Sequence, residues 1–281
     1  SNGVILIETL KPTETKTTID FSLRTGINSF SQQLPQLNSG QYKTLANEIL
    51  LTSGKYEEDL KLEHPGLYYT NNDPDFISAY KYSHNHNWQK EIFDLARYND
   101  AYMSVKGGDA IARYGLSVGF LDHEGVLKGS SYDRFTARFV GTFNIFPWLR
   151  MYVSSSLTSS GSDFYESAIR EQTSPILSSL FKSPQLEAYQ WDTSIVRNDI
   201  GSGVFDIDTL FKQTNIIDTV DASGVSNPTA IIENAVTTNS SVRSLSSFRI
   251  EGDISSALKI NSILGININS YSERVFWPNQ G

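Results

Sequence analysis

The chain has 281 residues, no cysteine, four histidines and a net charge of −8. The missing cysteines exclude disulfides, thiol nucleophiles and Cys-based metal sites. The acidic balance speaks against a nucleic-acid partner, and no apolar run is long enough for a transmembrane helix.

In chain order, the opening "SNGVILIETLKP" reads as a strand over residues 4–7 that begins at once. It has neither the basic start nor the long apolar region of a secretory leader. The strand that starts at once and the missing initiating Met lead to the expectation of an internal piece of a longer protein, with a processed mature terminus as the alternative. Period-two alternation follows in "KTTIDFSLRTGIN", where Ile19, Phe21, Leu23 and Ile27 oppose Asp20, Ser22 and Arg24. A weaker strand is expected over residues 100–106. Two clear ones come next. Tyr114, Leu116, Val118 and Phe120 alternate with Arg113, Gly115, Ser117 and Gly119. Phe135, Ala137, Phe139 and Phe143 alternate with Arg134, Thr136, Arg138 and Thr142. "WLRMYVSSSLTSS" continues the pattern, "VRSLSSFRIEGDI" is weaker, and "ALKINSILGININSY" is strong.

The connections alternate between short and long. "NIFPW" and "GDISSAL" leave room only for tight turns, and "KGGD" reads as another turn, because it lacks the spacing of a phosphate loop. Residues 30–98 and 160–242 form long excursions containing helix-like pieces: "NSGQYKTLANEILLTSG", capped by Asn38 or Ser39, "NWQKEIFDLARY", "SPILSSLFKS" and "DIDTLFKQT". Long loops of this size count against a compact soluble domain. Tight turns at one end, long loops at the other and aromatics near strand ends (Phe146 with Trp148, Phe276 with Trp277) fit an outer-membrane barrel. A soluble β-sandwich gives the same alternation, with its apolar face in a core. The polar residues repeated on the opposite face of each strand favour a water-filled lumen.

Several stretches together resemble the SusC/RagA family of TonB-dependent transporters. "SNGVILIETLKP" is similar to the last strand of the family's plug, and "LNSGQYKTLANEI" to the helix after the first barrel strand. Residues 87–139 resemble its most recognisable stretch: Trp-Gln-x-Glu-Ile-Phe, Ser-x-x-Gly-Gly, then Tyr-x-x-Ser-x-Gly-Phe-Leu-Asp-x-Glu-Gly. "NPTAIIENA" followed by "RIEGDISSALKINSILGININ" also fits. The resemblance implies an all-β fold: an antiparallel transmembrane β-barrel segment, about seven strands of a 22-stranded barrel, with long, partly helical extracellular loops. Residues 1–12 would be the last strand of the plug, and residues 13–281 the N-terminal part of the barrel. The implied activity is import of oligosaccharides or peptides across the outer membrane, energised through the TonB complex. The implied partners are a SusD-like surface lipoprotein and outer-membrane lipid. The TonB box, nearly all of the plug and most barrel strands are not in this sequence.

No cofactor is expected. "SHNHNW" places His84 and His86 on one side of an extended segment, with Asp73 and Asp75 nearby, but no spacing compels a metal site. A hydrolase is remote: the Gly-x-Ser-x-Gly run "GLSVG", Gly115 to Gly119, lies within an alternating strand and lacks the strand-turn-helix setting of a nucleophile elbow. A surface-binding or structural barrel without a transport cycle is the alternative to a transporter. The candidate ligand- or partner-contacting residues are the loop aromatics Tyr68, Tyr69, Tyr80, Tyr82 and Trp88, whose rings could stack on sugar faces or pack the loops.

Overall fold

The computed structural model describes residues 16–68, 80–165, 170–192, 212–217 and 224–277. The expected plug strand, Tyr69, Asp73 and Asp75 lie outside these residues. One seven-stranded sheet dominates. Its strands are β1 (Thr18–Asn28), β2 (Ala96–Gly108), β3 (Ala112–Glu124), β4 (Ser131–Phe146), β5 (Leu149–Asp163), β8 (Val236–Asp253) and β9 (Lys259–Phe276). They lie in the order β1-β2-β3-β4-β5-β8-β9, with every neighbouring pair antiparallel. β1 and β9 are the edges and do not pair with each other, so the sheet is open. A separate hairpin joins β6 (Tyr189–Asp192) and β7 (Lys212–Ile217).

The strands are longer than alternation suggests. β2 spans 13 residues and β8 spans 18, so both extend well past the weaker stretches expected there. About 9–11 residues suffice to cross a bilayer in a tilted barrel strand. The extra length lies toward the long loops, where both faces turn polar and the alternating contrast fades. On the face that carries Phe21, Phe139 and Ile268, one row there reads Thr25, Asn99, Asp122, Asp133, Gly161, Ser240 and Ser272.

The short connections, residues 109–111, 147–148 and 254–258, gather at one end of the sheet. In the first, "KGGD" ends β2 and its Asp109 opens the expected turn. Gly108 adopts φ 143°, and a Cβ there would meet the Ala112 carbonyl at 2.1 Å. The Asp109 carboxylate accepts from the backbone N–H of Ile111 and of Ala112, both at 2.8 Å. These bonds hold its pKa below the usual carboxylate range.

The long connections gather at the other end and carry the helices: α1 (Ser39–Thr52), α2 (Glu57–Glu63), α3 (Trp88–Ile92), α4 (Pro175–Phe181) and α5 (Pro228–Asn234). Asn38 caps α1 in a capping box with Gln41. "NWQKEIFDLARY" forms a helix only over Trp88–Ile92; from Ala96 the chain is already in β2. The helix expected for "DIDTLFKQT" needs correction at its end, because the last three residues belong to β7 and the first six lie outside the described residues. Lys212 and Gln213 pair with Asp192 and Trp191 of β6, and the extended hairpin supplies the hydrogen bonds that a helix would have made.

Candidate functional site: a two-faced wall and a joined loop body

The register makes the wall's two faces continuous. One row runs Ile19–Val105–Leu116–Phe139–Ser155–Ser246–Ile266, and a second runs Phe21–Met103–Val118–Ala137–Leu157–Ser244–Ile268. These mostly apolar side chains are not covered by a core: Phe21 is 69% exposed, Phe120 50% and Ile268 60%. The expected parity holds, with Tyr114 and Phe139 on this face and Arg113, Arg134 and Arg138 on the other. Three serines interrupt the apolar face in these rows: Ser244, and the paired Ser155 and Ser246. The hydroxyls of the pair, Ser155 Oγ and Ser246 Oγ, bond each other at 2.9 Å, which gives each a partner without water.

The apolar band is inclined to the rows. It begins at Ile19 on β1, whose row reaches β9 at Ile266, yet on β9 it begins at Ile260, six residues earlier. It ends at Ile27 on β1 and Ile268 on β9. Thr25 shares its row with Ser272, so the upper limit is out of step by the same amount. Six residues over six strand-to-strand steps is one residue per step. With a rise of about 3.3 Å and a strand spacing of about 4.8 Å, strands crossing a level apolar layer would tilt by roughly 35°. Barrel walls have that inclination.

The polar face is basic although the chain is acidic. By register it carries Arg24, Lys106, Arg113, Arg134, Arg138, Arg150, Arg243, Arg249 and Lys259 against Asp20, Asp100, Glu251, Asp253 and Glu273. Ion pairs form near the short-turn end, where Arg150 lies 3.4 Å and Lys259 3.5 Å from Asp253, and Arg249 lies 3.8 Å from Glu251. Arg134, Arg138 and Arg243, further up the wall, make no ion pair among the described residues.

Above the wall, the two long loops form one packed body. Trp88 is buried with Leu186 and Ala188, and Tyr82 and Tyr189 pack against them. Direct bonds cross from the first loop to the second. The Trp88 indole N–H donates to the Ser183 carbonyl at 2.9 Å, and the His86 backbone N–H donates to the Pro184 carbonyl at 2.8 Å. Gln36 donates to the Ser179 carbonyl at 2.7 Å, and Gln185 donates back to the Gly66 carbonyl at 2.8 Å. Within the second loop, Asn227 caps α5 through the Thr229 N–H and donates to the Ala188 carbonyl at 2.7 Å. Buried Lys182 donates to the Val225 carbonyl at 2.8 Å. Tyr189 hydrogen-bonds Glu233 at 2.7 Å; that bond, with burial, pushes the phenol pKa up to about 12.

The aromatic candidates fall into this body in different ways. Trp88 is 1% exposed, so its ring belongs to the packed interior and offers no face to a ligand. Tyr82 is half-buried against the same cluster, with its ring over Gly66. Tyr80 meets His84 edge-on at 5.1 Å. Tyr68 bonds Asn47 through its hydroxyl and has Lys61 Nζ 5.6 Å from its ring centre. His84 and His86 pair with Glu187 and Glu91, and no group of three metal-ligating side chains occurs among the described residues. Sequence reasoning passed over the polar residues that join the loops. The only local signals were the Ser174-Pro175 and Asn227-Pro228 pairs, a cap followed by proline at the first helical position.

No family model matches the chain. It is 27% identical over 138 residues to the TonB-dependent receptor SusC of Bacteroides thetaiotaomicron, covering 49% of this chain and 12% of SusC. The fold is similar to the RagAB peptide importer in its closed-closed state, with a TM-score of 0.63 and 16% identity over 94% of this chain and 29% of the RagAB chain. The open-open state of the same importer gives a TM-score of 0.62 at 16% identity. The chain thus spans well under a third of the length of the relatives it matches. In sequence the chain is thus similar to the TonB-dependent receptor SusC, and in fold to the RagAB peptide importer, in each case over part of that protein's length.

Proposed function

We propose that this chain forms the early wall and outer loops of an outer-membrane importer for oligosaccharides or peptides, with residues 1–12 ending its plug and residues 13–281 beginning its barrel. The observation that carries this reading is the unbroken two-faced wall: an exposed apolar face and a basic, polar face across all seven strands. Lipid covers the first, and the second lines the lumen. The open edges β1 and β9 pair with the remaining barrel strands, because an unpaired edge is costly in lipid.

Energy for transport comes through TonB. A SusD-like lipoprotein sits on the loop body, whose cross-bonded loops give a standing partner a stiff surface. Tyr68, Tyr69, Tyr80 and Tyr82 are the candidates for contact with cargo or lipoprotein. The family likeness to SusC and to a peptide importer supports transport over catalysis. The test is uptake of fluorescent oligosaccharide and peptide pools by cells with and without the gene, and with TonB inactivated. Uptake that needs both is expected. Uptake indifferent to TonB would favour a barrel without a transport cycle.

A further inference from the structure

The proposed transport reading leaves one pair of side chains without a task. His84 and His86 lie in the extended segment just before α3, on the seam between the two long loops, and each is mostly buried. His84 Nδ1 is 3.1 Å from Glu187 Oε1, which belongs to the second loop. His86 Nε2 is 3.5 Å from Glu91 of α3, and its backbone N–H is bonded to Pro184 of the second loop. The His86 ring stands edge-on to Trp88 at 4.5 Å, and the His84 ring edge-on to Tyr80 at 5.1 Å. The two imidazoles therefore sit beside the indole whose bond to Ser183 joins the loops.

We propose that His84 and His86 form a proton-operated latch that holds the two long loops together at neutral pH and releases them on acidification. The groups facing the pair are Glu187 from the second loop, Glu91 from α3, and each other. Burial lowers both imidazole pKa values below the ordinary 6.5 and outweighs the pull of the two carboxylates. A histidine whose folded-state pKa is depressed contributes stability above its unfolded value. That contribution is lost as pH falls below the unfolded value and through the folded one. The seam is then tight at neutral pH with both rings uncharged. It loosens as the pH falls below the ordinary imidazole value, where two cations must share a mostly buried space. Glu187 sets the pH of this release, since its charge makes protonation of the seam easier.

This chain contributes no cysteine of its own, so the test needs only that any cysteines elsewhere in the full-length protein be replaced by serine. Spin labels are placed on the full-length protein in bilayers at Ser83→Cys in the first loop and Phe181→Cys in the second, both exposed positions. Distances are measured by pulsed electron resonance at about pH 7.5 and about pH 5. The expected result is one short distance at the higher pH and its loss to a longer, broader population at the lower. With His84→Gln and His86→Gln the short distance should persist at both. With Glu187→Gln the transition should move to lower pH, a shift that a purely structural pair would not show. If the double variant is already loose at neutral pH, the Glu187→Gln shift alone decides. An unchanged distance in the unsubstituted pair, or a transition indifferent to these substitutions, would overturn the latch.

Discussion

The indole of Trp88 donates its hydrogen bond to the carbonyl of Ser183, 95 residues further along the chain. This bond and the packing of Trp88 on Leu186 and Ala188 turn two long excursions into one body. Trp88→Ala should remove both. Truncating a buried Trp costs about 3–5 kcal/mol, here at the expense of the loops and not of the wall. Trp88→Phe keeps most of the packing and leaves the Ser183 carbonyl without its donor, at about 1–3 kcal/mol. Hydrogen exchange should show faster opening of residues 174–190 in both variants, stronger for Ala, with the strand amides unchanged. Equal protection in all three proteins would mean that the loops are held together elsewhere.

How much of this was legible follows from where the polarity contrast lies. Inside the apolar band, alternation located β1, β3, β4 and β9 directly. Beyond it, outward positions such as Asn99, Asp122 and Asp133 are as polar as their inward neighbours, so the upper part of β2 and the first half of β8 carried little pattern. Helix α1 was readable because its capping box is local: Asn38 and Gln41 lie three residues apart. The loop body was not readable. Its ties run from Gln36, Trp88 and Gln185 to backbone carbonyls of Ser179, Ser183 and Gly66, and a carbonyl acceptor leaves no mark on the sequence. Trp88 looked like a stacking platform for the same reason: its type fits either role, and only its partners decide.

The turn after β2 gives a prediction about assembly. Gly108 takes a positive φ, and a Cβ there would overlap the Ala112 carbonyl. Gly108→Ala should therefore strain the turn by something on the order of 1–3 kcal/mol. The folded fraction recovered in bilayers should fall, while Ala110→Ser, at an exposed position in the same turn, should leave it unchanged. Equal recovery would mean that the turn has another backbone solution available.

Phe139 tests which medium the apolar face meets. It sits mid-band between Leu116 and Ser155. Phe139→Arg should cost roughly 2–4 kcal/mol if that position is near the bilayer midplane. Arg138→Phe, one residue away on the polar face, should cost far less for insertion and should act on the lumen. Denaturant titration of the barrel in bilayers would measure both. A neutral Phe139→Arg would argue against lipid on that face.

The direction of the barrel follows from connection lengths and strand parity together. The turn at residues 147–148 joins β4 to β5, and the turn at residues 254–258 joins β8 to β9, so both lie at one end of the sheet. Successive strands run antiparallel, which forces the connections after β1, β3 and β5 to the opposite end. Outer-membrane barrels keep short turns on the periplasmic side and long loops outside. The loop body with α1 to α5 should therefore face the medium, where a lipoprotein and cargo would meet it. Leu62, on α2, is 83% exposed, and Ser256 is exposed in the last turn. With any cysteines outside this chain replaced by serine, Leu62→Cys should react with a membrane-impermeant maleimide on intact cells. Ser256→Cys, a near-isosteric change, should react only after the outer membrane is breached. The reverse pattern would invert the wall, carry the loop body to the periplasm, and remove the surface on which the proposed partner sits.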